Sequence, residues 1–183
     1  MTLDKESYLP GEKAKLIVQA PFYPATGVLT VDREGIVSTR VFEVKSALHV
    51  EELSLGDRHL PNLWATVTLL RGRVKPAPGA HPDSGAPRVE RTSLSIPIRL
   101  DHQRLNVTAK PVKALLQPGQ TAELELVTTD AKGAPVQARL AIMLVDEGVL
   151  SLLGYALPDP LAVFFPGRRS MLWHGDLRPA VLP

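Results

Sequence analysis

The chain has 183 residues, of which 44% are hydrophobic and only 5% aromatic, so its core must be built mainly from aliphatic side chains. Its 21 basic and 19 acidic residues leave a net charge of +2, which is too small to predict a nucleic-acid partner or an anionic membrane surface. The absence of cysteine excludes disulfides and thiolate metal sites. No apolar stretch reaches the roughly 18 residues of a membrane-spanning helix, and the first residues do not resemble a signal peptide.

The first hundred residues predict a series of short strands. Alternation of apolar and polar side chains is typical of a strand with one buried face, and 17 prolines and 13 glycines supply the turns between such strands. In Leu63–Leu70 the alternation places Trp64 on the face opposite the leucines. Arg73–Arg91 is rich in Pro, Gly and charge and predicts a long exposed loop. Strands are expected at 14–20, 28–31, 36–44, 49–55, 63–70 and 94–100, the last at a sheet edge because it contains Pro97.

A second feature is an internal repeat. Leu116-Gln117-Pro118-Gly119-Gln120 stands 108 positions after Tyr8-Leu9-Pro10-Gly11-Glu12, and each segment leads into alternating apolar residues. A Pro-Gly turn before a strand is common, but two at the spacing of one domain favour tandem copies of an all-β module. We therefore expect one domain over 1–101 and a second over 102–183, with strands at 105–109 and 122–129 in the second.

The most apolar stretch is Ala138–Tyr155. Its first half, Ala138–Val145, is an apolar run of strand length, and its second half suits a helical turn. Asp146 would be the N-cap of that turn, its carboxylate accepting backbone N–H groups. Because Gly148 opposes a helix only weakly, one continuous helix over 138–153 is the alternative. From Leu157 onward the prolines predict an extended C-terminal tail with no regular element beyond a brief apolar anchor.

Several ordered motifs resemble the bacterial alpha-2-macroglobulin family. In the first module they are YLPGE from Tyr8, VDREGI from Val31 and LPNLWATVTLLRGR from Leu60. In the second module they are QPGQ from Gln117, VDEGVL from Val145, then Tyr155, Pro158-Asp159-Pro160, Phe164-Phe165 and Arg168-Arg169. Each motif is weak alone, and their common order carries the resemblance over essentially the whole chain.

The resemblance implies tandem macroglobulin-like domains, which are seven-stranded antiparallel β-sandwiches of fibronectin type III build. It also implies that VDEGVL, with its signature residues Asp146, Glu147 and Gly148, lies just before the bait region that a target protease cuts. Arg168 and Arg169 would then be bait-adjacent cleavage positions. The implied partners are target proteases and other domains of a longer chain, and the implied location is the periplasm or cell surface. The family's Cys-x-Glu-Gln thioester would have to lie elsewhere, since this sequence has no cysteine.

No residue pattern predicts catalysis, a cofactor or a metal. The five histidines are far apart and lack metal-ligand spacing. Asp146 and Glu147 are adjacent, which in a strand sets them on opposite faces and at a helix start favours capping over catalysis. We therefore expect a non-enzymatic protein, with a tandem β-sandwich adhesion or ligand-binding module as the alternative to an inhibitor fragment.

The second module has too few strands for a sandwich. About four are expected by Val145, where a sandwich needs about seven. Unpaired strand edges invite pairing with another chain. We expect either incomplete order in the second module or self-association through its open edge.

Overall fold

The computed structural model describes residues 1–76, 78–79, 81–117 and 119–175. It divides into two compact units, one formed by Met1–Arg99 with the described residues from Gly167 onward, the other by Leu100–Pro166. The sequence-based limits, 1–101 and 102–183, place the residues from Gly167 in the second domain, whereas here they are grouped with the first unit. Those limits stay a prediction. No helix in the described part of the chain is long and apolar enough to cross a membrane.

Within its described residues, the first unit is a seven-stranded antiparallel sandwich. One sheet has three strands in the order β1-β2-β5, and the other has four in the order β4-β3-β6-β7. The predicted all-β, macroglobulin-like fold is confirmed. The strands are β1 (Thr2–Leu3), β2 (Lys13–Gln19), β3 (Ala25–Asp32), β4 (Ile36–Val44), β5 (Leu48–Ser54), β6 (Asn62–Arg71) and β7 (Arg88–Pro97).

The core lies between the two sheets, as period-2 alternation requires. In β2, Ala14, Leu16 and Val18 are buried while the charged residues Lys13 and Lys15 before and between them are exposed. In β6, Leu63, Ala65 and Val67 are fully buried, and Trp64 lies on the opposite, outer face, as predicted.

The long loop predicted at Arg73–Arg91 is shorter than expected. Its last residues belong to β7, an edge strand that starts at Arg88 and ends at Pro97. Pro82–Gly85 forms a turn of 3-10 helix, and Val74 N–H donates to the Gly85 carbonyl at 2.9 Å. The edge strand predicted at 94–100 corresponds to the later part of β7. Its first residues were missed because Arg88, Glu90 and Arg91 are charged and lack the apolar alternation that marked the other strands.

Tyr8 joins the two sheets of the first unit. It pairs in parallel with Ile98, just beyond β7, and its backbone N–H donates to the Pro97 carbonyl at 3.1 Å. Its fully buried side chain donates a hydrogen bond of 2.7 Å from the hydroxyl to Asp4 Oδ1. Burial and this bond raise the pKa of Tyr8 to about 12, and the same bond is the main cause of a lowered pKa at Asp4.

The second unit begins as a copy of the first. Its strands are β8 (Asn106–Pro111) and β9 (Leu124–Thr129). Leu3 of β1 pairs with Leu16 of β2, and Pro111 of β8 pairs with Leu124 of β9. Both partners lie at the repeat distance from their counterparts, so the two strand pairs have the same register. The turns before β2 and β9 also match. Glu12 N–H donates to the Leu9 carbonyl and Gln120 N–H to the Gln117 carbonyl, each at 3.1 Å. In both turns the Glu or Gln side chain accepts the N–H of the residue three positions earlier, and the glycines have φ of 91° and 85°.

The predicted strand at Ala138–Val145 was wrong. These residues, all of them described, form neither strand nor helix, and Met143 and Leu144 are 72% and 89% exposed. The apolar pattern is that of an inner strand, which needs a hydrogen-bonded neighbour on each side. In the described part of this unit, β8 and β9 form a two-stranded sheet that leaves the run without such neighbours.

Two short helices follow, and both start at the residue types expected of caps. In α1 (Glu147–Leu153), Asp146 Oδ1 accepts the N–H of Gly148 at 2.8 Å and of Val149 at 3.3 Å, so the predicted N-cap is confirmed. The helix ends at Gly154, whose φ of 58° gives the left-handed C-cap. The expectation of no regular element after Leu157 was wrong, because Pro160 at the first helical position starts α2 (Pro160–Phe164) and does not break it.

Tyr8→Phe should remove two pH dependences of the first unit. Because the folded state holds the Tyr8 proton more tightly, the free energy of unfolding of the native chain should fall as the pH rises from about 10 to about 12. Because the pKa of Asp4 is lowered, stability should also be lost as the pH falls below 3.8 and through that lowered pKa. Urea unfolding followed across pH should show both losses reduced in Tyr8→Phe, with a cost of about 1 kcal/mol near neutral pH. The control Tyr23→Phe, at a half-exposed ring, should keep both.

Asp146→Ala should destabilise α1 by about 0.5–2 kcal/mol, because the first-turn N–H groups lose their acceptor. Hydrogen exchange should be faster at the amides of Gly148 and Val149, whereas Glu147→Gln should leave them nearly unchanged. Equal exchange in the native chain and Asp146→Ala would contradict the capping role.

Candidate functional site

The candidate site is formed where residues 167–175 lie against the outer face of the four-stranded sheet in the first unit. That face is unusually polar: it carries Asn62, Trp64 and Thr66 of β6, with Asp32 at the end of β3. Asn62, Thr66 and Asp32 are nevertheless buried, with exposures of 7%, 2% and 0%. The segment therefore contacts a surface rich in hydrogen-bonding groups.

The backbone of Arg168 is held by two side chains of β6. Its N–H donates to Asn62 Oδ1 at 2.7 Å, and its carbonyl accepts from Asn62 Nδ2 at 2.9 Å. The same carbonyl accepts from Trp64 Nε1 at 2.8 Å. Asn62 Nδ2 also donates to Ser95 Oγ of β7 at 3.1 Å, which fixes the orientation of the carboxamide. Both polar atoms of the Arg168 main chain are thus engaged.

Two further contacts hold the segment beyond Arg168. The Ser170 hydroxyl donates to Asp32 Oδ2 at 2.7 Å, a short bond of the kind that an ionised acceptor forms. Asp32 Oδ1 is buried without a hydrogen-bond partner in the described structure. Farther along, Arg91 Nη1 of β7 donates to the His174 carbonyl at 3.0 Å. The segment is therefore attached to β3, β6 and β7.

The two arginines predicted as cleavage positions differ in their surroundings. Arg168 is half-exposed, and its guanidinium lies 3.5 Å from Glu34 Oε1. The Arg169 side chain is exposed. Their role in cleavage stays a prediction.

The other signature residues lie in the second unit. Asp146 caps α1, Glu147 is its first residue, and a Cβ on Gly148 would lie 2.9 Å from Asp146 Oδ1. A glycine at this position therefore gives the capping carboxylate room to reach the helix N-terminus. In the Pro158-Asp159-Pro160 motif, Asp159 caps α2, and an ion pair with Arg104 at 2.7 Å is the main cause of its lowered pKa.

The described residues contain no group of three His, Asp or Glu side chains that could hold a metal ion. One of the histidines, His59, is buried, and burial is the main cause of its lowered pKa. The site on the sandwich can bind peptide backbone through a carboxamide and an indole N–H, and a side-chain hydroxyl through a carboxylate.

The sequence-based prediction missed Asn62, Trp64 and Asp32 as site residues. Asn62 and Trp64 are two positions apart in a strand, so they share a face, and both carry donors. That pairing on an outer face was the available signal. Which segment they bind depends on a contact with residues about a hundred positions away, which local pattern does not encode.

A family model described as the alpha-2-macroglobulin bait region domain matches residues 1–152. The alpha-2-macroglobulin homolog of Nostoc sp. is 26% identical over 180 residues, which cover 98% of this chain and 9% of that protein. The alpha-2-macroglobulin of Escherichia coli is 27% identical over 173 residues, covering 92% and 10%. A Dictyostelium discoideum protein named Circularly permutated Ras protein 2 is 25% identical over 171 residues, covering 93% and 4%.

Among solved structures, a Salmonella alpha-2-macroglobulin mutant matches with a TM-score of 0.50 and 24% identity, over 90% of this chain and 10% of that one. This likeness concerns the fold. The chain spans about a tenth or less of the length of these relatives. The match of the family model over most of the chain carries the assignment: the chain belongs to the alpha-2-macroglobulin bait region domain family.

Proposed function

We propose that this chain is a non-catalytic scaffold portion of an alpha-2-macroglobulin-like protease inhibitor, lying beside the segment that a target protease cuts. The observation that carries the proposal is the family match over residues 1–152, which ends shortly before the segment containing Arg168 and Arg169. The parent protein would enclose a protease after cleavage, and this portion would hold the cleavable segment in place.

Arg168 and Arg169 are the residues that we assign to cleavage by trypsin-like proteases. Both lie a few residues after α2, in a stretch without regular secondary structure. A protease binds its substrate as an extended main chain, so the segment must first detach from the protein. A stretch without regular secondary structure breaks fewer hydrogen bonds when it detaches than a strand does.

The second unit supports the view that further domains of the parent protein are partners. Its apolar side chains at Leu152 and Phe164 are 89% and 74% exposed, and β9 has β8 as its strand neighbour along its length. Apolar surface of this kind requires cover in the intact protein. In keeping with the family resemblance, we place the parent protein in the periplasm or at the cell surface.

The alternative function, a tandem adhesion or ligand-binding module, has one observation in its favour. A groove of about 310 Å³ opens on the first unit, lined by the start of β3, the ends of β4 and β6, and their neighbours. The unfinished sheet of the second unit argues against it, because a free-standing module needs two complete cores.

Limited trypsinolysis tests the cleavage assignment. Cuts after Arg168 or Arg169 should accumulate before any cut within β2 or β6, because the segment has a few hydrogen bonds to break and these strands have a paired strand on each side. Mass spectrometry of the products identifies each bond, and the double variant Arg168→Gln, Arg169→Gln should lose these early products. Simultaneous cutting in the strands would contradict the assignment.

We also expect the isolated chain to self-associate through the side of β9 that faces away from β8, before the end at Thr128 and Thr129 where Val136 and Pro135 are already bonded. Analytical ultracentrifugation should show a sedimentation coefficient that rises with concentration. Val127→Lys puts a charge on this half-exposed strand position and should weaken association. Ser93→Lys, on edge strand β7 of the first unit, is the matched control and should not. A monomer at all concentrations would contradict this expectation.

A further inference from the structure

We propose that Asn62, Trp64 and Asp32 form a binding site for a peptide segment, occupied by the chain's own residues 168–170. Asn62 and Trp64 bind the backbone, and Asp32 binds a hydroxyl side chain. We further propose that this occupancy shields the bonds after Arg168 and Arg169 from proteases. The second part rests on the proposed function, because it names a protease as the partner. The first part rests on hydrogen bonds within the first unit alone.

The Asn62 carboxamide recognises a main chain as another strand would. In an antiparallel ladder, two residues exchange a pair of N–H to carbonyl hydrogen bonds. Asn62 reproduces that pair, since its Oδ1 accepts the Arg168 N–H and its Nδ2 donates to the Arg168 carbonyl. Recognition of this kind requires an N–H and so excludes proline, but it does not depend on the side chain held.

The side-chain requirement lies two residues farther on. Asp32 is fully buried, and its Oδ2 accepts the Ser170 hydroxyl. A buried carboxylate is costly without a donor, so the site favours a hydroxyl residue there. The ligand class is therefore a peptide in which serine or threonine stands two positions after the clamped residue.

The guanidinium of Arg168 contributes little to the binding. It lies 3.5 Å from Glu34, and the two side chains are 40% and 62% exposed, where ion pairs have small effects. The arginine side chains are thus left for recognition by a protease once the segment has lifted.

A serine protease competes for the same main-chain atoms. It polarises the carbonyl of the residue before the cut bond in its oxyanion hole. At Arg168 that carbonyl already accepts from Asn62 and Trp64. Cutting after Arg169 requires the neighbours of that residue in the protease cleft, and these are the clamped Arg168 and Ser170. The rate of both cuts should therefore follow the population of the undocked segment.

The first test changes the segment and leaves the sandwich intact. Ser170→Ala in the full chain should speed the cut after Arg168 by about 10- to 100-fold, the effect expected for losing a bond to a charged group. Met171→Ala is the matched control, because Met171 is 76% exposed, and it should change the rate less than twofold. Short peptides with the same substitutions correct for the preference of trypsin itself.

The second test changes the site. Trp64→Phe keeps the aromatic packing and removes the indole donor, and should speed cutting by about 2- to 10-fold. Asn62→Ala should have a larger effect, whereas the matched control Asn106→Ala, which removes a side-chain bond to the Asp130 carbonyl in the second unit, should have little. Cuts within β2 are followed in parallel, because global destabilisation would speed those as well.

Hydrogen exchange at the Arg168 amide separates the two parts of the proposal. Protection in the native chain that is lost in Asn62→Ala and kept in Asn106→Ala supports the binding site whatever trypsin does. If the Arg168 amide is protected in the native chain but trypsin cuts Asn62→Ala no faster than the native chain, the shielding role is overturned. If the Arg168 amide exchanges as fast as that of an unstructured peptide, the binding site itself is overturned. If neither arginine is cut even in Asn62→Ala, the proposed cleavage positions fail while the binding site stands.

Discussion

The constraint on which the structure depends is that a strand is stable only with hydrogen-bonded neighbours and one covered face. In the first unit this is met completely, since β3 lies between β4 and β6 and its buried apolar side chains face the other sheet. In the described part of the second unit, β8 and β9 meet it in part, and the apolar run at 138–145 does not meet it at all. Apolar runs of strand length therefore form different structures, according to which neighbouring strands are present.

The same constraint explains the segment on the sandwich. Once a polar side chain is covered, it needs a partner, or its desolvation is not repaid. Asn62 and Asp32 lie on the outer face of a sheet and are covered, and residues 168–170 supply a carbonyl, an N–H and a hydroxyl to them. The main chain of Arg168, which is not part of a β-sheet, thereby forms its hydrogen bonds with side chains.

The sequence carried most of the information about the first unit. Alternation located β2 and β6 and their buried faces, because there the local pattern and the tertiary environment agree. It also located the Asp146 cap, which is a local interaction. It failed at 138–145, where strand formation depends on absent neighbours, and at Asn62 and Trp64, whose ligand comes from about a hundred residues away.

The repeat shows how far local sequence determines structure, because the described part of the second unit keeps the first hairpin without the other strands of the first unit. The pair β8 and β9 has the same register as the pair β1 and β2, with every position shifted by 108 residues. The two sequences share only the turn motif and a few apolar positions. The Asp4 N–H to Lys15 carbonyl bond recurs as Val112 to Glu123, at 3.3 and 3.0 Å. A Pro-Gly turn closed by a Glu or Gln side chain directs the chain into the following strand, and the antiparallel pairing with the strand before the turn follows in both copies. The first hairpin of the module is therefore specified locally. The remaining strands require each other.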